Sequence, residues 1–166
     1  MRPDVVIIGK ALAGGVYPVS AVLASQEILS VFTPGSHGST FGGNPLGAAV
    51  ARKALRVLVE EGLIENSARM GEYFLNRLRE RLDGNARVRE IRGKGLLIGV
   101  ELKKEVGGAR QFCEELAVRG LLCKETHQDV IRFAPPLIID RETIDWALGH
   151  IIEVLNMSLS DLRTIS

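Results

Sequence analysis

Cysteine and histidine are scarce in this chain, and each scarcity removes a class of function. Its 166 residues hold two cysteines, Cys113 and Cys123. Two are too few for a disulfide framework, so a reducing cytoplasm is the expected compartment. The three histidines, His37, His127 and His150, share no ligand spacing with one another or with either cysteine, and no metal site is expected. No apolar run approaches the roughly 20 residues of a membrane-spanning helix, and no signal peptide precedes the first strand-like segment. Charge of one sign is missing as well. The 21 basic and 20 acidic residues are interspersed and sum to +1, which argues against nucleic acid or a membrane surface as a charge-driven partner. Small molecules and other protein subunits remain. With 46% hydrophobic and 25% charged residues, the chain has the composition of one ordinary globular domain or two small ones.

The most informative stretch is Val5-Val6-Ile7-Ile8-Gly9-Lys10. Short, continuous and β-branched, and preceded by Pro3, the run fits a strand covered on both faces better than a helix. It ends in lysine. A lysine amine held at a strand end and partly shielded from water has its charged form disfavoured and can become a Schiff-base nucleophile. A surface lysine that merely marks a strand end would look the same in these ten residues. A P-loop is excluded, because Asp4 stands where its first glycine would be and Ala11 where its hydroxyl would be.

A second extended segment covers residues 18–24, and a short helix beginning near Ser25 stops before Pro34-Gly35. The loop Ser36-His37-Gly38-Ser39-Thr40-Phe41-Gly42-Gly43 then leads to Asn44, a helix N-cap, with Pro45 at the first helical position. Free backbone N–H groups with the Ser39 and Thr40 hydroxyls suit a phosphate, though the glycines also suit a plain helix-entry turn. Helical periodicity runs to Glu60, Gly62 interrupts it, and a second helix through Phe74 and Leu78 stops at Asp83-Gly84. A domain boundary is expected in this region, dividing the chain into residues 1–62 and 63–166.

The later part alternates strand and helix. Extended pieces are expected at 88–91 and 95–102, joined by a bend or bulge at 92–94, followed by a helix over 110–119 capped by Gly120. Short strands at 121–124 and 130–133 precede a last helix capped by Asp140. Arg132 stands alone among apolar neighbours in the second of these strands. Its planar fork suits a carboxylate, and period-two alternation equally allows it to face solvent.

Taken together, Ile8-Gly9-Lys10-Ala11-Leu12, Gly14-Gly15, the segment from Gly38 to Pro45, Arg92-Gly93-Lys94-Gly95 and the segment from Ile131 to Leu137 resemble the class III, fold-type I pyridoxal-phosphate aminotransferases. Tyr17-Pro18-Val19-Ser20, Pro34-Gly35-Ser36-His37 and Lys124-Glu125-Thr126-His127 resemble the branch acting on ornithine. The resemblance implies an α/β fold, with a remnant of the large cofactor domain in residues 1–62 followed by the small C-terminal α+β domain. It implies that Lys10 holds pyridoxal 5′-phosphate (PLP) and moves a proton between the amino-acid Cα and C4′ of the cofactor. Ser39 and Thr40 become ligands of the cofactor phosphate in a partner subunit, and Arg132 the anchor of the substrate α-carboxylate. The implied substrates are small amino acids and 2-oxo acids, and the implied assembly is a homo-oligomer or a pairing with a complementing chain. Acetylornithine or another ω-amino acid is an alternative substrate, and a noncatalytic remnant that binds protein partners is an alternative function.

The resemblance covers only the later part of the family's length. The upstream half would supply the phosphate loop in cis, the aromatic residue stacked on the pyridine ring and the aspartate that keeps its nitrogen protonated. Asp4 is too close to Lys10 to replace that aspartate. Residues 1 to about 60 are therefore expected to be ordered only beside another chain, with an apolar strand uncovered.

Overall fold

The apolar run after Pro3 forms strand β1 (Val5–Ile8) in a computed structural model that describes residues 2–162. The chain divides into two units, Met1–Gly62 and Leu63–Ser166. In the first, β1 pairs antiparallel with β2 (Ala21–Ala24) in a two-stranded ribbon whose register runs from Val5 opposite Ala24 to Ile8 opposite Ala21. A 3-10 turn over Lys10–Ala13 follows β1. Helix α1 (Gln26–Leu29) starts at Ser25, whose Oγ accepts the Ile28 N–H at 3.4 Å. Helix α2 (Pro45–Glu60) starts at Asn44, whose Oδ1 accepts the Gly47 N–H at 2.7 Å. Among the described residues of this unit only Ala13, Gly47 and Ala51 are buried.

The strand expected to be covered on both faces is open. Val5, Val6 and Ile7 are exposed, Ile7 at 77%. The reason is that β2 is the only strand hydrogen-bonded to β1 among the described residues, and a two-stranded ribbon has no layer of its own to bury either face.

The second unit begins with helix α3 (Leu63–Arg81) and continues through β3 (Val88–Lys94), β4 (Leu97–Leu102), helix α4 (Arg110–Val118), β5 (Lys124–Thr126), β6 (Val130–Phe133) and helix α5 (Arg141–Asn156). The four strands form one antiparallel sheet in the order β3-β4-β6-β5. Alternation sorts its faces. Ile98, Val100, Leu102, Ile131 and Phe133 turn inward and are buried, while Leu97 and Arg132 turn outward and are exposed. The helices meet the inner face with stripes at helical spacing: Phe74 and Leu78 on α3, Phe112 and Leu116 on α4, and Ile144, Leu148, Ile151 and Leu155 on α5. Asp140 caps α5, its Oδ1 accepting the Thr143 N–H at 2.9 Å.

Two strand boundaries differ from the expectation. Residues 92–94 belong to β3 itself, the reversal falls at Gly95 (φ 54°) and Leu96, and the irregular register lies between Val88 and Glu90. The strand expected at 121–124 lies at Lys124–Thr126, because the Leu121 N–H bonds the Leu116 carbonyl at 2.9 Å and ties the chain to the end of α4. A charge is also buried. Glu115 on α4 is fully enclosed and bonds Arg119 Nε at 2.8 Å, and Arg119 reaches Glu153 of α5 at 2.7 Å. No helix among the described residues is long and apolar enough to cross a membrane.

Candidate active site

Lys10 leaves β1 with φ 53°, a left-handed backbone that it shares, among the described non-glycine residues, only with His127 and Gln128. A side chain disfavours that region, so the surrounding turn has to impose it. The turn is held by the Leu12 N–H to the Gly9 carbonyl at 3.2 Å and by the Gly14 N–H to the Ala11 carbonyl at 2.9 Å. Ala13, 1% exposed, anchors it within the unit.

The turn opens on a hollow of about 770 Å³ formed within the first unit. Lys10, Ser39, Gly42, Gly43 and Asn44 line it together with Ala48, Ala51, Arg52 and Leu55 of α2. Ser39 Oγ accepts the Gly42 N–H at 3.1 Å, which leaves its own hydroxyl hydrogen to be donated. Thr40 is exposed and is not among the lining residues. The whole loop over residues 36–43 is exposed, with Phe41 at 76%.

The shielding of Lys10 expected from its place at a strand end is not provided by this chain. Lys10 is exposed, and no hydrogen bond or ion pair engages its amine among the described residues. The same exposure of β1 that uncovers Ile7 leaves the end of the strand open.

Arg132 lies in the second unit. On β6 it stands between buried Ile131 and Phe133 and is itself exposed, with no carboxylate partner among the described residues. Its neighbours across the sheet are Gly99 on β4 and Lys124 on β5. On the same face Glu101 bonds Arg89 at 2.6 Å and Arg92 at 2.5 Å. The Arg92 hydrogen bond is the main cause that holds the Glu101 carboxyl below the usual carboxylate range. Lys10 and Ser39 thus share one hollow, and Arg132 presents a free guanidinium in the other unit.

Sequence reasoning missed Arg52. Arg52 belongs with Ala48, Ala51 and Leu55 to the α2 face that lines the hollow. The i, i+3, i+4, i+7 spacing of these four residues was the available signal.

The model of the family "Aminotransferase class-III" matches residues 1–155. An ornithine aminotransferase of Brevibacillus brevis is 58% identical over 156 residues, which cover 94% of this chain and 38% of that protein. The structure of an ornithine aminotransferase from Plasmodium yoelii superimposes with a TM-score of 0.88 at 44% identity, covering 93% of this chain and 41% of the other. One from Toxoplasma gondii, reported with partial occupancy of PLP at its active site, gives a TM-score of 0.87 at 42% identity over 92% of this chain and 36% of the other. The chain spans well under half the length of these relatives. Over nearly all of its own length it carries their sequence pattern, and it belongs to the class-III aminotransferase family.

Proposed function

We propose that this chain supplies the lysine, the phosphate loop and the carboxylate arginine of an ornithine aminotransferase, which moves the δ-amino group of ornithine to 2-oxoglutarate with PLP. The observation that carries the reading is Lys10 itself. It is held in a left-handed conformation at a hollow that it shares with Ser39 and a glycine-rich loop, and its amine is uncommitted. The names of the relatives support the substrate. The free thiols Cys113 and Cys123 fit a reducing cytoplasm.

The hollow fits PLP at its reactive end. Its volume of about 770 Å³ lies within the ordinary range for small-molecule sites, and the Lys10 amine stands in its wall. Among the described residues no carboxylate lines it, so an acidic partner for the ring nitrogen would have to come from elsewhere. When bound, PLP would supply an electron sink for the carbanion left at the carbon that carries the transferred amino group.

The chain's own residues then have distinct tasks. The Lys10 amine would move the proton between the substrate carbon that carries the transferred amino group, Cδ of ornithine, and C4′ of the cofactor. Ser39 and Thr40 donate hydroxyl hydrogens to the phosphate in a partner subunit, a task that suits a loop exposed along its whole length. Arg132 grips the α-carboxylate with two parallel N–H donors. The uncovered apolar residues of β1 suit docking of a complementing chain or segment.

The reading is tested by adding PLP to the pure chain, reducing with borohydride and mapping the modified peptide. Modification at Lys10, absent in Lys10→Ala, is the expected result. A protein modified only at other lysines overturns the assignment. Modification at Lys10 without transamination of ornithine in any assembly of the chain favours the second reading, a noncatalytic binding chain.

A further inference from the structure

We infer that Gly99, Arg132 and Lys124 form one seat on the open face of the second unit's sheet, a seat that prefers dicarboxylates. In it Gly99 is a positioning residue and Lys124 sets the preference. The inference rests on reading Arg132 as a carboxylate anchor and adds the residues that decide which carboxylates it accepts.

The register places four residues in a row across the sheet: Arg92 on β3, Gly99 on β4, Arg132 on β6 and Lys124 on β5. Side chains opposite one another on one face lie about 4.5–5.5 Å apart at Cβ. Glycine at the second place leaves the space between Arg92 and Arg132 without a side chain. A Cβ built on Gly99 would lie 3.3 Å from Val130 Cγ1. A branched side chain there is therefore pressed away from Val130 and into the space over which a ligand would reach Arg132.

The charges of the row differ in how far they are committed. Arg92 is held by Glu90 at 2.7 Å and Glu101 at 2.5 Å, and Glu101 in turn by Arg89 and Arg92, so this corner is neutral. Among the described residues exposed Lys124 bonds only its half-buried neighbour in sequence, Glu125, at 2.9 Å, and a pair with one partner in solvent is weak and screened. Arg132 has no partner among the described residues. Two like charges directly opposite one another destabilise a sheet, and Lys124 stands directly opposite Arg132. An anion relieves that repulsion, and an anion with two carboxylates engages both cations. A substrate whose far end carries an ammonium is repelled by Lys124 instead. The seat thus favours the 2-oxo dicarboxylic acid over the diamino acid. A lysine on an edge strand also discourages edge-to-edge pairing, and the experiment separates that purpose from ligand binding.

The probes are glutarate and valerate, which have the same carbon count and carry two and one carboxylates. Each is titrated into the ¹⁵N-labelled full chain while the Arg132 Nε–H and Gly99 N–H signals are followed by NMR. Glutarate is expected to saturate them at about threefold lower concentration than valerate, the size of one exposed charge contact. Lys124→Gln should remove that difference. Gly99→Val should weaken both anions by about tenfold, the loss of roughly one charge-assisted hydrogen bond, with the far-ultraviolet circular dichroism unchanged. Gly99→Ala, the milder change, should weaken both by a smaller factor if the valine variant does not fold. Equal affinities for the two anions in the unaltered chain, or unaltered affinity in the Gly99 variants, would overturn the inference. Modification of Lys10 by PLP with no saturable shift at Arg132 overturns the seat alone, and a saturable seat without modification at Lys10 overturns the cofactor reading alone.

Discussion

A Cβ built on Gly71 of α3 would lie 2.1 Å from the carbonyl oxygen of Gly95, closer than a non-bonded carbon and oxygen can approach. The helix therefore touches the β3–β4 reversal backbone to backbone, and neither side can yield as a flexible side chain would. Gly71→Ala should lower stability by about 2 kcal/mol, as an overpacked core position does, seen as a lower urea midpoint with an unchanged slope. At this scale the legible residues were those whose task is local. Asn44 and Asp140 were readable as caps, because a cap acts on amides two or three residues away. Gly71 passed unnoticed within a helical pattern, since its constraint comes from a turn that lies elsewhere in the chain. Arg132 was open to two readings, and its exposed position on β6 fits both. What the structure adds is the pair of neighbours, Gly99 and Lys124.

Helix α5 shows how one such residue acts on a whole element. The Asp140 carboxylate accepts the Thr143 backbone N–H, and this bond is the main cause that holds its pKa below the ordinary value of 3.8. The unfolded chain then binds more protons than the folded one in that range. The contribution of the cap is present above pH 3.8 and is lost as pH falls through the lower folded value. Asn at this position keeps the acceptor and does not titrate. On acidification from about pH 5 to about pH 3, the unaltered chain should lose more of its urea midpoint than Asp140→Asn. Glu101, Glu125 and Glu153, also held low by basic neighbours or hydrogen bonds, act alike in both proteins and cancel in the comparison. Element types were legible from periodicity. The end of β3 and the start of β5 were not, because the β4 ladder extends the first and the Leu121–Leu116 bond delays the second.

For the whole molecule, the contrast lies in what each unit buries. The second unit encloses a core shared by a four-stranded sheet and three helices. The first keeps an isolated ribbon with exposed apolar residues and little buried besides Ala13 and Ala51. A lone two-stranded ribbon is marginal in water, so the β1 and β2 amides should exchange through openings of low free energy. The β4 and β6 amides should be among the slowest. Hydrogen exchange read by mass spectrometry on the isolated chain checks this, and equal protection of residues 5–24 and 97–133 would contradict it. By itself the sequence determined the helices and their caps, the alternation of the strands, and the motifs that tie Lys10, Ser39, Thr40 and Arg132 to one family, because each depends on neighbours within a few residues. The tertiary structure alone decided that β1 stands uncovered, that Lys10 is held left-handed over a hollow with Ser39, and that Arg132 faces a glycine on one side and a lysine on the other. Those features are set by pairing and packing between distant segments, which local periodicity does not encode.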